Sequence, residues 1–170
     1  NEFPSPSLKK RLTKLGFENI FSIPREKKLS FEDFEAISIF DENVSNDDAG
    51  ISFRDNDYCI HHGNDNWFIL KEKNLKKLKD FSINRKFLYC SQTNSASGHP
   101  ITYPQFRDET EKLLKLKVKK MLSAGLINVE NLKADYFLPY AGFSKSYVKD
   151  KNYHLLAFDP IFRNLKKLVD

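Results

Sequence analysis

Residues 58–67 read Tyr-Cys-Ile-His-His-Gly-Asn-Asp-Asn-Trp. An aromatic, a thiol and a β-branched residue in succession suit a buried strand, and Gly63 then lets the backbone turn. His61, His62, Asn64 and Asp65 therefore emerge where a strand stops, which is where open α/β sheets place their sites. Neutral imidazoles and a carboxylate there could hold zinc, iron or manganese. The plain alternative is that Asp65 caps a turn and the histidines are ordinary strand-end residues.

On the N-terminal side, residues 49–53 form a second strand-like run, and the Asp- and Asn-rich link 54–57 makes the two a hairpin, with the His-Asp cluster at its exit. Residues 36–40 alternate like a strand, residues 31–34 are ambiguous, residues 25–28 read as a charged turn, and residues 19–23 read as a strand closed by Pro24. Ser5-Pro6 opens a first helix with Leu8, Leu12 and Leu15 at helical spacing, ended by Gly16. Residues 41–48 are acidic and turn-rich; Asp47 and Asp48 could assist a metal, although such a loop is more often simply solvated.

On the C-terminal side, Leu75, Leu78 and Phe81 lie on one stripe of residues 70–81 with lysines on the other, the pattern of a helix covering a sheet. Residues 87–90 are a buried strand. The polar, small-residue stretch 91–100 that follows could present Asn94, Ser97 and His99 to a ligand, or serve as a surface connection. Thr102 and Gln105 have capping-box spacing, and Leu114, Val118, Met121 and Leu122 carry the longest helix up to Gly125. Residues 131–134 lead into a strand, 136–138, that breaks at Pro139-Tyr140-Ala141-Gly142-Phe143. Residues 158–168 suit a terminal helix, and His154 has no partner near it in sequence. This order of elements predicts an α/β fold with helices layered on a mixed sheet.

The chain of 170 residues can bury one good core, and one domain is the natural expectation. No apolar run approaches the ~20 residues of a membrane helix. Asn1 to Ser7 holds neither a signal-peptide apolar region nor an initiator methionine, which predicts that the chain begins inside a longer protein. Net charge is +5, which permits anionic ligands without selecting one. Lysines dominate on helix-like segments, where a solvated face is the simplest account. Arginine is sparse and no aromatic RNA-binding signature occurs, so nucleic acid is a weak candidate. Cys59 and Cys90 sit in apolar runs and read as buried free thiols of a reducing, cytoplasmic compartment rather than a disulfide. No internal repeat, P-loop, dinucleotide fingerprint, nucleophile elbow or Cys-x-x-Cys pair occurs.

Several short segments, in order, resemble the C-terminal part of a metallo-β-lactamase-fold protein of the branch containing CMP-N-acetylneuraminate hydroxylase and UDP-N-acetylmuramate hydroxylase. They are Ser5-Pro6-Ser7-Leu8, Asn46-Asp47-Asp48-Ala49-Gly50-Ile51, Asn64-Asp65, Ala96-Ser97-Gly98-His99-Pro100 and Pro139-Tyr140-Ala141-Gly142. The resemblance implies a layered αββα sandwich, of which residues 1–143 would be the C-terminal portion, with a basic extension, 144–170, packing on it. It implies that Asp65 is a metal ligand, to which the strand-end reading adds His61 and His62, with Asn64 or His62 able to orient the carboxylate. Asn94, Ser97, His99 and Tyr140 would shape a pocket for a nucleotide-sugar or phosphosugar substrate.

Departures from that pattern are specific. Glu2-Phe3 stands where the branch carries an Asp-His pair, and phenylalanine cannot ligate a metal. The two cysteines lack the spacing of the Rieske centre that supplies electrons for hydroxylation. An isolated C-terminal half would also expose apolar faces, which calls for an upstream segment or a second chain to complete the fold. Three functions follow as expectations: a hydroxylase-like enzyme using iron, a hydrolase using zinc-bound water, and a binding or regulatory module that has lost its metal.

Overall fold

A computed structural model describes residues 7–21, 23, 27–40, 49–93 and 104–140. Within them six strands lie side by side in chain order: β1 (Lys28–Ser30), β2 (Glu35–Phe40), β3 (Ala49–Arg54), β4 (Tyr58–His62), β5 (Lys86–Gln92) and β6 (Tyr136–Tyr140). The first four pair antiparallel, and β4, β5 and β6 run parallel. Parallel neighbours require long crossovers, and helices α2 (Glu72–Ser82) and α3 (Thr110–Leu132) supply them. The chain is therefore α/β with a mixed sheet. A short α1 (Ser7–Lys14) precedes it, and none of the described helices is long and apolar enough to cross a membrane.

Both crossover helices cover one face. Leu78 and Phe81 of α2 and Leu132 of α3 pack with Ile37, Ile39, Cys59, Phe87 and Tyr89, residues of three strands, β2, β4 and β5. Each large apolar side chain so buried contributes about 1.5–3 kcal/mol. Polar ties fix the layers: Asn74 Nδ2 donates to the Phe40 carbonyl at 2.7 Å, and Lys77 Nζ to that of Ser38 at 3.1 Å. Arg54 donates to Glu35 Oε2 and to the Phe81 carbonyl while lying over the Phe81 ring.

The other face is apolar as well. Register aligns Phe53, Ile60, Leu88 and Tyr136 in one row across four strands, and Ile51, His62, Cys90 and Leu138 in the next. Ile60 is 43% exposed, Leu138 50% and Tyr136 57%. An antiparallel sheet with a solvated second face alternates polar residues there. Here apolar residues occur on both sides of these strands.

Three sequence readings change. Residues 19–21 and 23 are not strand, and the first strand is β1, which begins at Lys28, the last residue of the stretch read as a charged turn. Its pairing rests on charge rather than on apolar alternation: Lys28 Nζ and Ser30 Oγ both reach Glu35 across the ladder. Helix α3 does not stop at Gly125 but runs to Leu132, where Lys133 adopts a left-handed conformation and closes it. Gly125 marks a crossing point instead, since a Cβ there would stand 3.0 Å from the Phe137 ring. Strand β6 continues through Pro139, which sits in the last strand of the described sheet, where a missing N–H is tolerated.

Candidate functional site

Strand alternation separates the two histidines. His61 points to the helix-covered face, where it is 2% exposed, stacked on Tyr89 with ring centroids 5.3 Å apart, and joined through Nδ1 to Ser52 Oγ at 2.8 Å. Gly50 makes room for it: a Cβ there would lie 2.7 Å from His61 Cε1. Burial, with a smaller push from the neighbouring His62, lowers the His61 pKa to about 3, so the ring is neutral at physiological pH. Its neighbour Tyr89 continues the polar path. The Tyr89 hydroxyl accepts from Asn128 Nδ2 at 2.9 Å, and the same fully buried amide receives the Leu70 N–H and donates to the Phe68 carbonyl. Asn128 thus ties α3 to the segment that follows Asp65.

His62 points to the open face. Its ring stacks on Tyr140 with centroids 4.4 Å apart, and its Nδ1 accepts the Asn64 N–H at 3.2 Å. Beyond it the Gly63 N–H donates to the Cys90 carbonyl, extending the parallel ladder by one residue, and Asn66 N–H closes the turn on the Gly63 carbonyl. Asn64 takes a left-handed conformation, φ 53°, which asparagine tolerates better than most residues. The Tyr140 hydroxyl, arriving from β6, donates to the Asn64 carbonyl. Asp65, the next residue, is exposed, yet it is near enough for its charge to act on that hydroxyl. Burial first, and then Asp65, push the Tyr140 pKa above its ordinary value.

His62 and Tyr140 are therefore brought together at the C-terminal ends of parallel strands, with Asp65 exposed on the turn just beyond His62, and His61 is held apart on the opposite face. Asn94, Ser97 and His99 lie outside the described residues, as do Asp47, Asp48 and His154. Cys59 and Cys90 are free and buried; burial raises the first to a pKa of about 11 and raises the second, so neither is a ready thiolate.

Side chains unmarked in the sequence also belong here. Both amide atoms of Asn66, and the Ser91 hydroxyl, are buried without a hydrogen-bond partner among the described residues. Asn66 carried no signal beyond its place in an Asn-Asp-Asn run. Ser52 and Asn128 gave none, because each acts through a residue distant in sequence, and Gly50, quoted only within a resembling segment, gave no sign of its closeness to His61.

A divalent metal fits this donor set in part. No group of three His, Cys, Asp or Glu side chains that could hold an ion occurs among the described residues. Asp65 and His62, which flank one turn, would give at most two donors, fewer than the three or four a zinc site takes from protein. No protein family, curated protein or solved structure matches the chain.

Proposed function

We propose that this chain is the C-terminal part of a two-sheet αββα domain of metallo-β-lactamase type, acting as a metal-dependent enzyme on a nucleotide-linked or phosphorylated sugar. The observation carrying the reading is the stack of His62 on Tyr140 at the rim of an apolar sheet face, beside the turn that bears Asp65. Helices on one side and exposed Phe53, Ile60 and Leu138 on the other are what half of such a sandwich would present.

In this reading Asp65 and His62 supply one side of an iron or zinc site, and the segment or chain that covers the open face supplies the remaining ligands. Bound there, the metal would activate water or dioxygen. The chain's own residues hold that side in place. Tyr140 fixes the turn through the Asn64 carbonyl, and the His62 ring is oriented by the tyrosine it stacks on and the N–H it accepts. Tyr140 acts on the turn rather than chiefly on substrate. The substrate class rests on the resemblance of the Asn64-Asp65 and Pro139-Tyr140-Ala141-Gly142 segments, with the net positive charge favouring its phosphates.

A second reading, a metal-free binding or regulatory module of the same fold, is favoured by the two-donor count and by Glu2-Phe3. Metal analysis of the purified full-length protein separates the possibilities. Stoichiometric iron with oxygen uptake on adding a nucleotide sugar supports the hydroxylase, and zinc with phosphoester cleavage supports a hydrolase of the same fold. Protein free of metal after purification without chelators, and unresponsive to added iron or zinc, supports the module.

A further inference from the structure

The segment that follows the Asp65 turn forms, with α3, a groove that does not include the residues of the metal reading. This groove of about 540 Å³ runs along the outer side of α3, walled by residues 67–69 and floored by Leu116, Ala124 and Ile127. Leu116 to Ile127 spans about 16 Å at the helical rise of about 1.5 Å per residue, so the groove is elongated. Its wall is fixed in advance: Trp67 stacks on Phe68 at 4.4 Å, and the buried Asn128 amide pins the backbone at Phe68 and Leu70 to α3. Apolar surface stays outside, with Ile69 49% and Leu116 47% exposed.

Charge selects the occupant. Lys119 and Lys120 stand in the groove between its apolar ends. They set two positive charges beside an apolar trough, which favours a partner carrying carboxylates. The aliphatic floor suits leucine-like side chains rather than stacked bases, and its concave form suits an inserted ridge rather than a flat lipid surface.

We propose that this groove docks an acidic amphipathic helical segment of a protein partner, its apolar ridge lying between Trp67 and Ile127 and its carboxylates beside Lys119 and Lys120. This is the helix-in-groove mode, with anchors at helical spacing.

Trp67 is the single tryptophan of the chain, so its fluorescence reads the groove directly. The probe is a synthetic helix-forming peptide of about 14 residues, long enough to span the groove, with leucines on one face flanked by glutamates. A sister peptide carries lysines in place of the glutamates. Titrated into the full chain, the acidic peptide should give a saturable blue shift, and the lysine peptide none. Lys119→Glu with Lys120→Glu should weaken the acidic peptide at least about tenfold, the equivalent of about 1.4 kcal/mol. Leu116→Glu, which puts a carboxylate at an exposed position of the floor, should do the same, with circular dichroism unchanged in both variants. The proposal is overturned by equal binding of both peptides, by a response that survives the charge reversal, or by no saturable response. It is overturned equally if anionic phospholipid vesicles or a nucleoside diphosphate shift Trp67 saturably where the acidic peptide does not.

Discussion

The His62 imidazole lies flat against the Tyr140 ring, 4.4 Å between centroids and 19° between planes, although the two residues belong to strands separated by β5. The stack spans the ends of three parallel strands, and the Tyr140 hydroxyl goes on to hold the carbonyl of Asn64. The turn bearing Asp65 is thereby fastened at its base by backbone and at its crest by a side chain.

Tyr140→Phe keeps the stack and removes the hydroxyl. Loss of one hydrogen bond on a half-buried turn should lower stability by about 1 kcal/mol. Amide exchange at residues 63–66 should quicken while β4 and β5 stay protected, as read by hydrogen–deuterium exchange. Unchanged exchange in the turn would mean the hydroxyl does not hold it.

His61 imposes a pH dependence. In the unfolded chain its pKa is about 6.5, and in the fold burial lowers it to about 3. Below about pH 6.5 the unfolded state takes up a proton that the folded state refuses, so this contribution is complete above that pH and lost as pH falls toward about 3. By pH 5 the loss is roughly 2 kcal/mol. Urea denaturation at pH 7 and pH 5 should show it, and His61→Gln should flatten that interval while being less stable at pH 7.

Gly50→Ala tests the space kept for that ring. The added methyl would collide with Cε1 of His61 and stand 3.1 Å from the His62 carbonyl, so ring or strand must shift. Overpacking of this kind costs about 1–3 kcal/mol. A thermal midpoint within error of the parent would show that the ring moves aside freely.

Leu138→Glu and Ile60→Lys address the open face. Both side chains are substantially exposed, so folding of the chain should change by no more than about 0.5 kcal/mol, and binding of a hydrophobic dye should fall. If a further segment or second chain covers this face, as proposed, the same changes in the full-length protein should disrupt that assembly, which size-exclusion chromatography or loss of metal would report.

Much of the fold was legible because one face of each main element is apolar at a fixed period. The strands around residues 36–40, 49–53, 58–60 and 87–90 and the helix through Leu75, Leu78 and Phe81 all occur within a few residues of their sequence bounds. β1 was not legible because Lys28 and Ser30 pair with a glutamate five to seven residues on, and cross-strand charge leaves no periodicity. Gly125 looked like a helix end because glycine at a helix end and glycine under a crossing strand look identical in one dimension. At the site, Asp65 beside a turn was visible as a motif. The separation of His61 from His62 followed only once Tyr58 and Ile60 were seen on the uncovered face, since neighbouring strand residues point opposite ways. The roles of Ser52 and Asn128 depend on register and on a helix crossing, which no local pattern encodes.

The most direct test of the role given to Asp65 is calorimetric titration of iron(II) or zinc into the metal-stripped full-length protein and into its Asp65→Ala variant. With a metal ligand at this position, the parent should bind one site's worth of ion, and the variant should bind at least about tenfold more weakly with its fold intact. Equal affinity in the two proteins, or no binding in either, would contradict it.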